Sequence, residues 1–253
     1  MPVSGFDSTT CIVVPCFNEE QRLDASTFLR FVESDPGVHF LFVNDGSRDG
    51  TSELLARLSH ERPGQLRKID LDRNSGKAEA IRLGTNSLAD WKSFDYVGFL
   101  DADLSAPLTT IAELQQAIAP ESRFEFAMGS RVALMGRAIH RNAVRHYIGR
   151  GFATAVSLML GLPVYDTQCG AKLFRAALIP EIFAQPFVTR WFFDVEVIFR
   201  ILGSRGRQKG SAIIVEVPLL SWTEKGSSKL AVSDFLTTPV ELFRIWRHYR
   251  DTR

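Results

Sequence analysis

Short apolar runs alternate with helix-period stripes along the first half of the chain. The runs at residues 11–15, 38–43, 66–70, 96–100 and 126–128, with a later one at 213–217, are rich in β-branched and aromatic residues. They are bounded by Gly, Asp, Asn or Pro and predict strands. Several are apolar throughout, as parallel strands covered on both faces should be. Between them lie helical stripes: Ala25, Phe28, Leu29 and Val32; then Leu54, Leu55 and Leu58 after Thr51; then Ala80, Ile81, Gly84 and Leu88. Strand alternating with helix predicts an α/β protein with a mainly parallel sheet and right-handed crossovers. After about residue 130 the rhythm turns helical, with the run at 213–217 as its one strand. No repeat, low-complexity segment or Gly/Ser linker interrupts the chain. One domain over residues 1–253 is therefore expected, with an α/β part at 8–130 and a helix-rich part at 131–253.

Composition adds bounds. The chain has 253 residues, 45% hydrophobic and 23% charged, which suits a globular protein and excludes a disordered chain, a collagen or a coiled-coil rod. No apolar run approaches the ~18 residues of a membrane span, and residues 1–10 lack a signal-peptide pattern. Three cysteines, Cys11, Cys16 and Cys169, fit a reducing compartment and show no zinc spacing. The net charge of +1 hides an imbalance: residues 126–165 hold no Asp or Glu, but include Arg131, Arg137, Arg141, Arg145, Arg150, His140 and His146. That segment is a candidate anion site; the plainer alternative is a solvated helix face.

In open α/β sheets ligands sit beyond the carboxyl ends of the strands, and here those ends carry polar clusters. The first run leads into Cys16-Phe17-Asn18-Glu19-Glu20, the second into Asn44-Asp45-Gly46-Ser47-Arg48-Asp49-Gly50, the third into Arg73-Asn74-Ser75-Gly76-Lys77 and the fourth into Asp101-Ala102-Asp103. Two carboxylates one residue apart at a strand exit suit a hard cation, Mg²⁺ or Mn²⁺, completed by phosphate and water. Asp45 is placed to accept from a nucleobase N–H, whereas Asp49 and Thr51 read as helix caps. The backbone N–H groups of 74–76, with Lys77, suit a phosphate at a helix start. No P-loop, GxGxxG, GxSxG or HExxH motif is present, so the NTPase, dehydrogenase, serine hydrolase and zinc protease readings lose support.

Segments 14–19, 43–51, 74–77, 101–104, 129–131, 149–152, 166–174, 190–196, 216–218 and 226–229 together resemble glycosyltransferase family 2. Within it they are most similar to the polyprenyl-phosphate sugar transferases of the dolichyl-phosphate β-glucosyltransferase kind. The first four segments are shared by the wide family; 166–174 and 190–196 belong more to the polyprenyl-phosphate branch. The resemblance implies the GT-A fold and an inverting, metal-dependent transfer of a hexose, glucose from UDP-glucose foremost, to a polyprenyl phosphate. It implies Pro15, Phe17, Asn18, Glu19 and Asp45 at the nucleoside, Lys77 near the nucleotide, and Asp101 and Asp103 on the metal and donor diphosphate. Many relatives have Gln where Ser105 stands.

Because a guanidinium binds phosphate oxygens in a fork, Arg131 and Arg145 are candidates for the acceptor phosphate, with Lys229 in a closing loop as a third. Asp103 and Asp194 are the catalytic candidates. Asp194 would be a base or orienter, unless it or Glu196 pairs with Arg190 or Arg200. Asp166 and Gln168 are expected to support the site. A lipid acceptor would be reached from the surface: residues 152–160, and Phe235, Leu242, Phe243, Trp246 and Tyr249 among Arg244, Arg247 and Arg250, read as interfacial helices or as faces packed on the core. The expected partners are thus a nucleotide sugar and a polyprenyl phosphate at the cytoplasmic face of a membrane, and no nucleic acid; oligomeric state is left open. The alternatives are mannosyl transfer from GDP-mannose, transfer to a soluble hydroxyl, and a non-catalytic nucleotide-sugar binding module.

Overall fold

The computed structural model describes residues 8–140, 143–225 and 232–250. In chain order the elements are β1 (Thr10–Cys16), α1 (Ala25–Ser34), β2 (Val38–Asn44), α2 (Thr51–Glu61), β3 (Leu66–Asp70), α3 (Lys77–Ser87), β4 (Tyr96–Phe99), α4 (Thr110–Ala117) and β5 (Phe126–Ser130). Then follow β6 (Ala138–His140), α5 (Ala143–Leu160), β7 (Lys172–Arg175), α6 (Ile179–Phe183), α7 (Phe193–Arg205), α8 (Arg207–Ala212), β8 (Ile214–Pro218), β9 (Ser221–Thr223) and α9 (Val232–Tyr249).

Seven strands form one sheet in the order β3-β2-β1-β4-β7-β5-β8. All its pairings are parallel except those of β7, which runs antiparallel between β4 and β5 with Val97 opposite Phe174 and Ala127 opposite Leu173. Two reversals cancel, so β5 points the same way as β1 and β4 and its carboxyl end lies at the same sheet edge. A separate parallel pair, β6–β9, stands apart.

Alternation along the strands builds a core on each face. Ile12, Val14, Phe40 and Phe42 pack with Phe28, Val32, Leu55 and Leu58 of α1 and α2. Cys11, Val13, Leu41, Val43 and Phe99 pack on the other side with Ile81 of α3 and Phe193, Val197 and Ile201 of α7. Phe28 meets Phe40 and Phe42 edge-on at 5.1 and 5.0 Å. The start of α1 is fixed locally, because the Asp24 side chain accepts from the Thr27 N–H.

The expected strands are all present, within a residue or two at their ends. The second part is helix-rich and supplies the expected strand as β8, but it also adds β7 to the main sheet and both strands of the small one, which were not expected. β7 escapes a pattern search because it is short and begins with a lysine. The faces read as interfacial helices are also largely spoken for: Ala153, Val156 and Leu160 of α5 and Ile245 and Tyr249 of α9 are buried, and Leu242 packs on the core. Leu158, Val240 and Phe243 remain exposed. Among the described residues no helix is long and apolar enough to cross a membrane.

At the edge of the sheet opposite the strand exits, His39 is buried against Trp91 and Phe94. Its Nδ1 lies 3.3 Å from the Gly37 carbonyl and its Nε2 3.3 Å from Lys92 Nζ. These partners define the neutral tautomer with hydrogen on Nδ1. Burial first, then the Lys92 charge, depresses the imidazole's pKa. The unfolded chain thus takes up a proton near pH 6.5 that the folded one refuses, so this site's stabilising contribution is lost as pH falls through that value. Urea unfolding from pH 7.5 to 5.5 is expected to show a steeper loss of stability in the wild type than in His39→Gln; equal slopes would refute the assignment.

Candidate active site

The loops leaving β1 and β2 are stitched together by their own side chains. Asn18 Oδ1 accepts from the Arg48 N–H at 3.0 Å, the Asn18 N–H donates to Ser47 Oγ at 3.0 Å, and the Glu19 N–H donates to Thr51 Oγ1 at 2.8 Å. Glu20 accepts from the Gly50 N–H at 3.0 Å. Asn18 sits at φ 52°, a conformation that asparagine tolerates better than most residues. Beside this seam opens a cleft of about 720 Å³, lined by Phe17, Asn18, Ser47, Arg48, Asp70 and Arg73 among others. Phe17 and Asn18, expected at the nucleoside, both line this cleft. Pro15 lies within β1, and Glu19 is buried behind the loop.

Asp45 is used differently from the expectation. Its two oxygens accept from the Ser75 and Gly76 N–H groups at 2.6 and 2.9 Å, and the side chain is buried. Two of the amides expected to cradle phosphate at the start of α3 are therefore taken by a carboxylate, which the helix N-terminus attracts equally well. Gly46 makes the approach possible: at φ +64°, a Cβ there would lie 2.5 Å from the Arg73 and Asn74 backbone.

At the exit of β4, Asp101, Asp103 and Asp194 each have a cation. Lys77 Nζ is 2.5 Å from Asp101 Oδ1, Arg22 Nη2 is 3.5 Å from Asp103 Oδ2, and Lys172 Nζ is 2.6 Å from Asp194 Oδ1. Burial works against the Lys77 charge, but Asp101, Asp194 and Asp103 outweigh it and raise the ammonium's pKa. Asp194, in the first turn of α7, has its pKa raised by burial against the pull of Lys172 and Lys77. Lys172 is fully buried and donates to the carbonyls of Thr167 and Cys169 at 2.9 and 2.7 Å while its charge faces Asp194. Gly170 lets Asp101 sit against this loop, since a Cβ there would be 1.9 Å from Asp101 Oδ2. The turn is closed by Leu104 at φ 53°, whose N–H donates to the Asp101 carbonyl, and by the Ser105 N–H, which donates to Asp103 Oδ1 at 2.9 Å.

A divalent ion fits these residues. Asp101 and Asp103 are hard oxygen donors, and each already attracts a protein cation. Among the described residues no group of three or more His, Cys, Asp or Glu side chains forms a closed metal cage. Two carboxylates do not close a coordination shell, so an ion held there would need further ligands from outside this pair.

Arg131, expected at the acceptor phosphate, leaves β5 with its fork engaged: Nε and Nη2 donate to Asp166 at 2.7 Å each. Burial opposes that charge, but Asp166 holds the guanidinium's pKa above its usual value. Glu216 of β8 accepts from the Tyr165 and Asp166 N–H groups at 2.7 Å each and so seats Asp166. Arg131 is thus a braced cation rather than a free one, and Asp166 has the supporting role expected. For Arg145 only the helical backbone of α5 is described, and Lys229 lies outside the described residues. Arg150 lies over the Tyr165 ring at 3.7 Å.

Asp194 and Glu196 pair with neither Arg190 nor Arg200. Glu196, fully buried, accepts from the Val188 and Thr189 N–H groups at 2.8 Å each and from the Tyr249 hydroxyl at 3.1 Å. Arg190 instead donates to Asn74 Oδ1 at 2.7 Å, and Arg200 to the carbonyls of Ile182, Gln185 and Pro186. Arg22, Lys172 and Glu216 were not singled out from sequence. Lys172 and Glu216 lie in segments 166–174 and 216–218, which carry the family resemblance, and that was their signal; Arg22 lies in none and gains its contact from a partner far along the chain.

A model of the family described as Glycosyl transferase family 2 matches residues 11–183. The chain is 32% identical to a dolichyl-phosphate beta-glucosyltransferase of Drosophila melanogaster, covering 94% of this chain and 74% of the relative. It is 30% identical to the Homo sapiens protein of the same name, covering 90% and 72%. Among solved structures it is similar to glucosyl-3-phosphoglycerate synthase from Mycobacterium tuberculosis bound to phosphoglyceric acid, with a TM-score of 0.68, 18% identity and coverage of 94% and 80%. The same enzyme with Mn²⁺, uridine-diphosphate-glucose and phosphoglyceric acid gives a TM-score of 0.67 at 18% identity. These two establish the GT-A type of fold.

Proposed function

The chain belongs to glycosyl transferase family 2 and is a glycosyltransferase, and from that premise we propose that it moves glucose from UDP-glucose to a polyprenyl phosphate of the dolichyl type, with inversion. The observation that carries this reading is the cluster of Asp101, Asp103, Lys77 and Asp194 at the exit of β4, beside the cleft at the ends of β1–β3. The relatives' names support the sugar and the lipid acceptor. The three buried free cysteines suit the cytoplasmic face.

Phe17 and Asn18 would hold the nucleoside against the stitched β1–β2 loops, while Asp45 keeps the 74–76 loop in place. Asp101 and Asp103 would hold Mg²⁺ or Mn²⁺, which when bound supplies neutralisation of the diphosphate leaving group. Lys77 adds a fixed positive charge at the same place. A phosphomonoester has a second pKa of about 6, so the acceptor oxygen is largely ionised near neutrality and needs no strong base. That oxygen attacks the sugar's anomeric carbon as the bond to the diphosphate breaks and its electrons leave with UDP. Asp194, tied to Lys172, then serves as counter-charge to Lys77 rather than as a proton acceptor. Arg131, braced by Asp166, faces the incoming phosphate, with Arg145 and Lys229 as further candidates.

The test is transfer of radiolabelled sugar to a short polyprenyl phosphate, from UDP-glucose and GDP-mannose in parallel, with Mg²⁺, Mn²⁺ or chelator. Metal-dependent glucolipid from UDP-glucose alone is expected. Product from GDP-mannose, or transfer only to soluble hydroxyl compounds, would overturn the donor or the acceptor. Metal-dependent nucleotide-sugar binding with no transfer to any acceptor would make the protein a binding module.

A further inference from the structure

Arg131 opens a segment that leaves the active edge of the sheet and returns as β6. Within it the Arg137 N–H donates to the Leu134 carbonyl at 3.1 Å, closing a β-turn with Met135 and Gly136 at its centre. Gly136 has φ +81°, as the third position of a type II turn requires. The turn is therefore built, and what it presents is apolar: Met135 is fully exposed and Leu134 is 48% exposed. Leu220, across the small sheet, is 54% exposed, and its carbonyl accepts from the Ala138 N–H at 2.9 Å. Leu134 and Met135 are adjacent in the turn and Leu220 lies beside it, so these exposed apolar side chains are gathered rather than scattered, as on an interaction surface.

The turn also stands next to the site. It is three residues from Arg131, and the β6–β9 pair that carries it is bonded to the metal-side turn, because the Thr223 N–H donates to the Ser105 carbonyl at 2.9 Å. The surrounding sequence is one-signed: residues 126–165 contain five arginines and no Asp or Glu. An apolar tip in a sequence stretch without acids, with Arg137 in the turn itself and Glu113 nearby engaged by the Leu220 N–H at 3.1 Å, matches an anionic bilayer, where acyl chains take up the tip and headgroups attract the guanidinium. A protein partner would have to supply an acidic rim around an apolar socket; a bilayer supplies both at once.

We infer that the turn at residues 134–137, with Leu134 and Met135 as its inserting side chains, docks the protein on an anionic lipid surface and holds the catalytic edge at the headgroup level. Vesicle binding tests this directly. Only the transfer readout rests on the polyprenyl-phosphate reading above.

The experiment is flotation of the whole chain with vesicles of phosphatidylcholine, alone or with about one third phosphatidylglycerol. The wild type is expected to float with the anionic vesicles and to be released by salt. Leu134→Ser with Met135→Ser is expected to lose at least about tenfold in partition coefficient, and Arg137→Gln a smaller, salt-sensitive part. The double variant is expected to keep wild-type transfer to a short, water-soluble polyprenyl phosphate and to lose transfer to a long-chain acceptor embedded in vesicles. Flotation of the double variant like the wild type, or equal wild-type binding to neutral vesicles, would overturn the inference. So would a change in self-association by light scattering without a change in vesicle binding, since the occupant would then be a second copy. If neither acceptor is glycosylated, the proposed reaction fails while flotation still decides the docking surface.

Discussion

Asp103→Ala is expected to abolish sugar transfer while leaving the protein as stable as the wild type. Asp103 is one of the two hard oxygen donors at the exit of β4, and among the described residues its structural duties are modest: an Arg22 contact at 3.5 Å and the Ser105 N–H at 2.9 Å. Charge neutralisation by a Lewis-acid ion contributes several kcal/mol to a step of this kind. About 4 kcal/mol corresponds to roughly a thousandfold in rate. Asp103→Asn should retain the turn, because an amide oxygen still accepts from Ser105, yet lose nearly as much activity. Thermal melts run beside the transfer assay separate loss of chemistry from loss of fold. Transfer surviving within about tenfold of wild type in either variant would remove Asp103 from the metal site.

Lys172→Met is expected to be the most destabilising single change in the site. The ammonium is fully buried, donates to two carbonyls and lies 2.6 Å from the Asp194 carboxylate. Methionine fills much of the same space, so the loss comes from leaving a buried carboxylate without its partner. Breaking one side of such a pair costs roughly 3–5 kcal/mol, which for a chain of this size lowers the melting temperature on the order of 10 °C. Combining Lys172→Met with Asp194→Leu removes the orphaned charge and should recover part of the loss. Calorimetry on the two variants checks this. A single variant melting within about 2 °C of wild type, or a double variant no better than the single, would show that the pair does not carry the stability assigned to it.

Much of the fold was legible in the chain because its signals are local. Strands β1 to β5 and β8 announce themselves as apolar runs ended by polar turn residues, and α1 to α3 as stripes at helical spacing. β7 was not, because four residues with a lysine at the front look like neither, and its place between β4 and β5 is set by the pairing partners that flank it. The Asp101–Asp103 turn was legible too, since a strand exit ending in two carboxylates is a local pattern. Its bracing was not: the Gly170 approach to Asp101 joins residues some seventy positions apart, and Arg22 reaches Asp103 from another strand exit.

Sequence by itself therefore determined the α/β layering, the sheet edge that carries the chemistry and the residue types gathered there. Residue spacing and side-chain chemistry are enough for that, since periods of two and 3.6 residues fix which faces are buried. Only the tertiary structure decided how those residues are used. Asp45 turned out to hold the 74–76 loop, Glu196 the 188–189 backbone, and Asp166 the guanidinium of Arg131. Each of these carboxylates went to the donors that packing brought within 3 Å after water was excluded. Hydrogen-bond and ion-pair strength falls off over a few ångströms, so the partner is chosen by three-dimensional proximity, which neighbours in sequence do not specify.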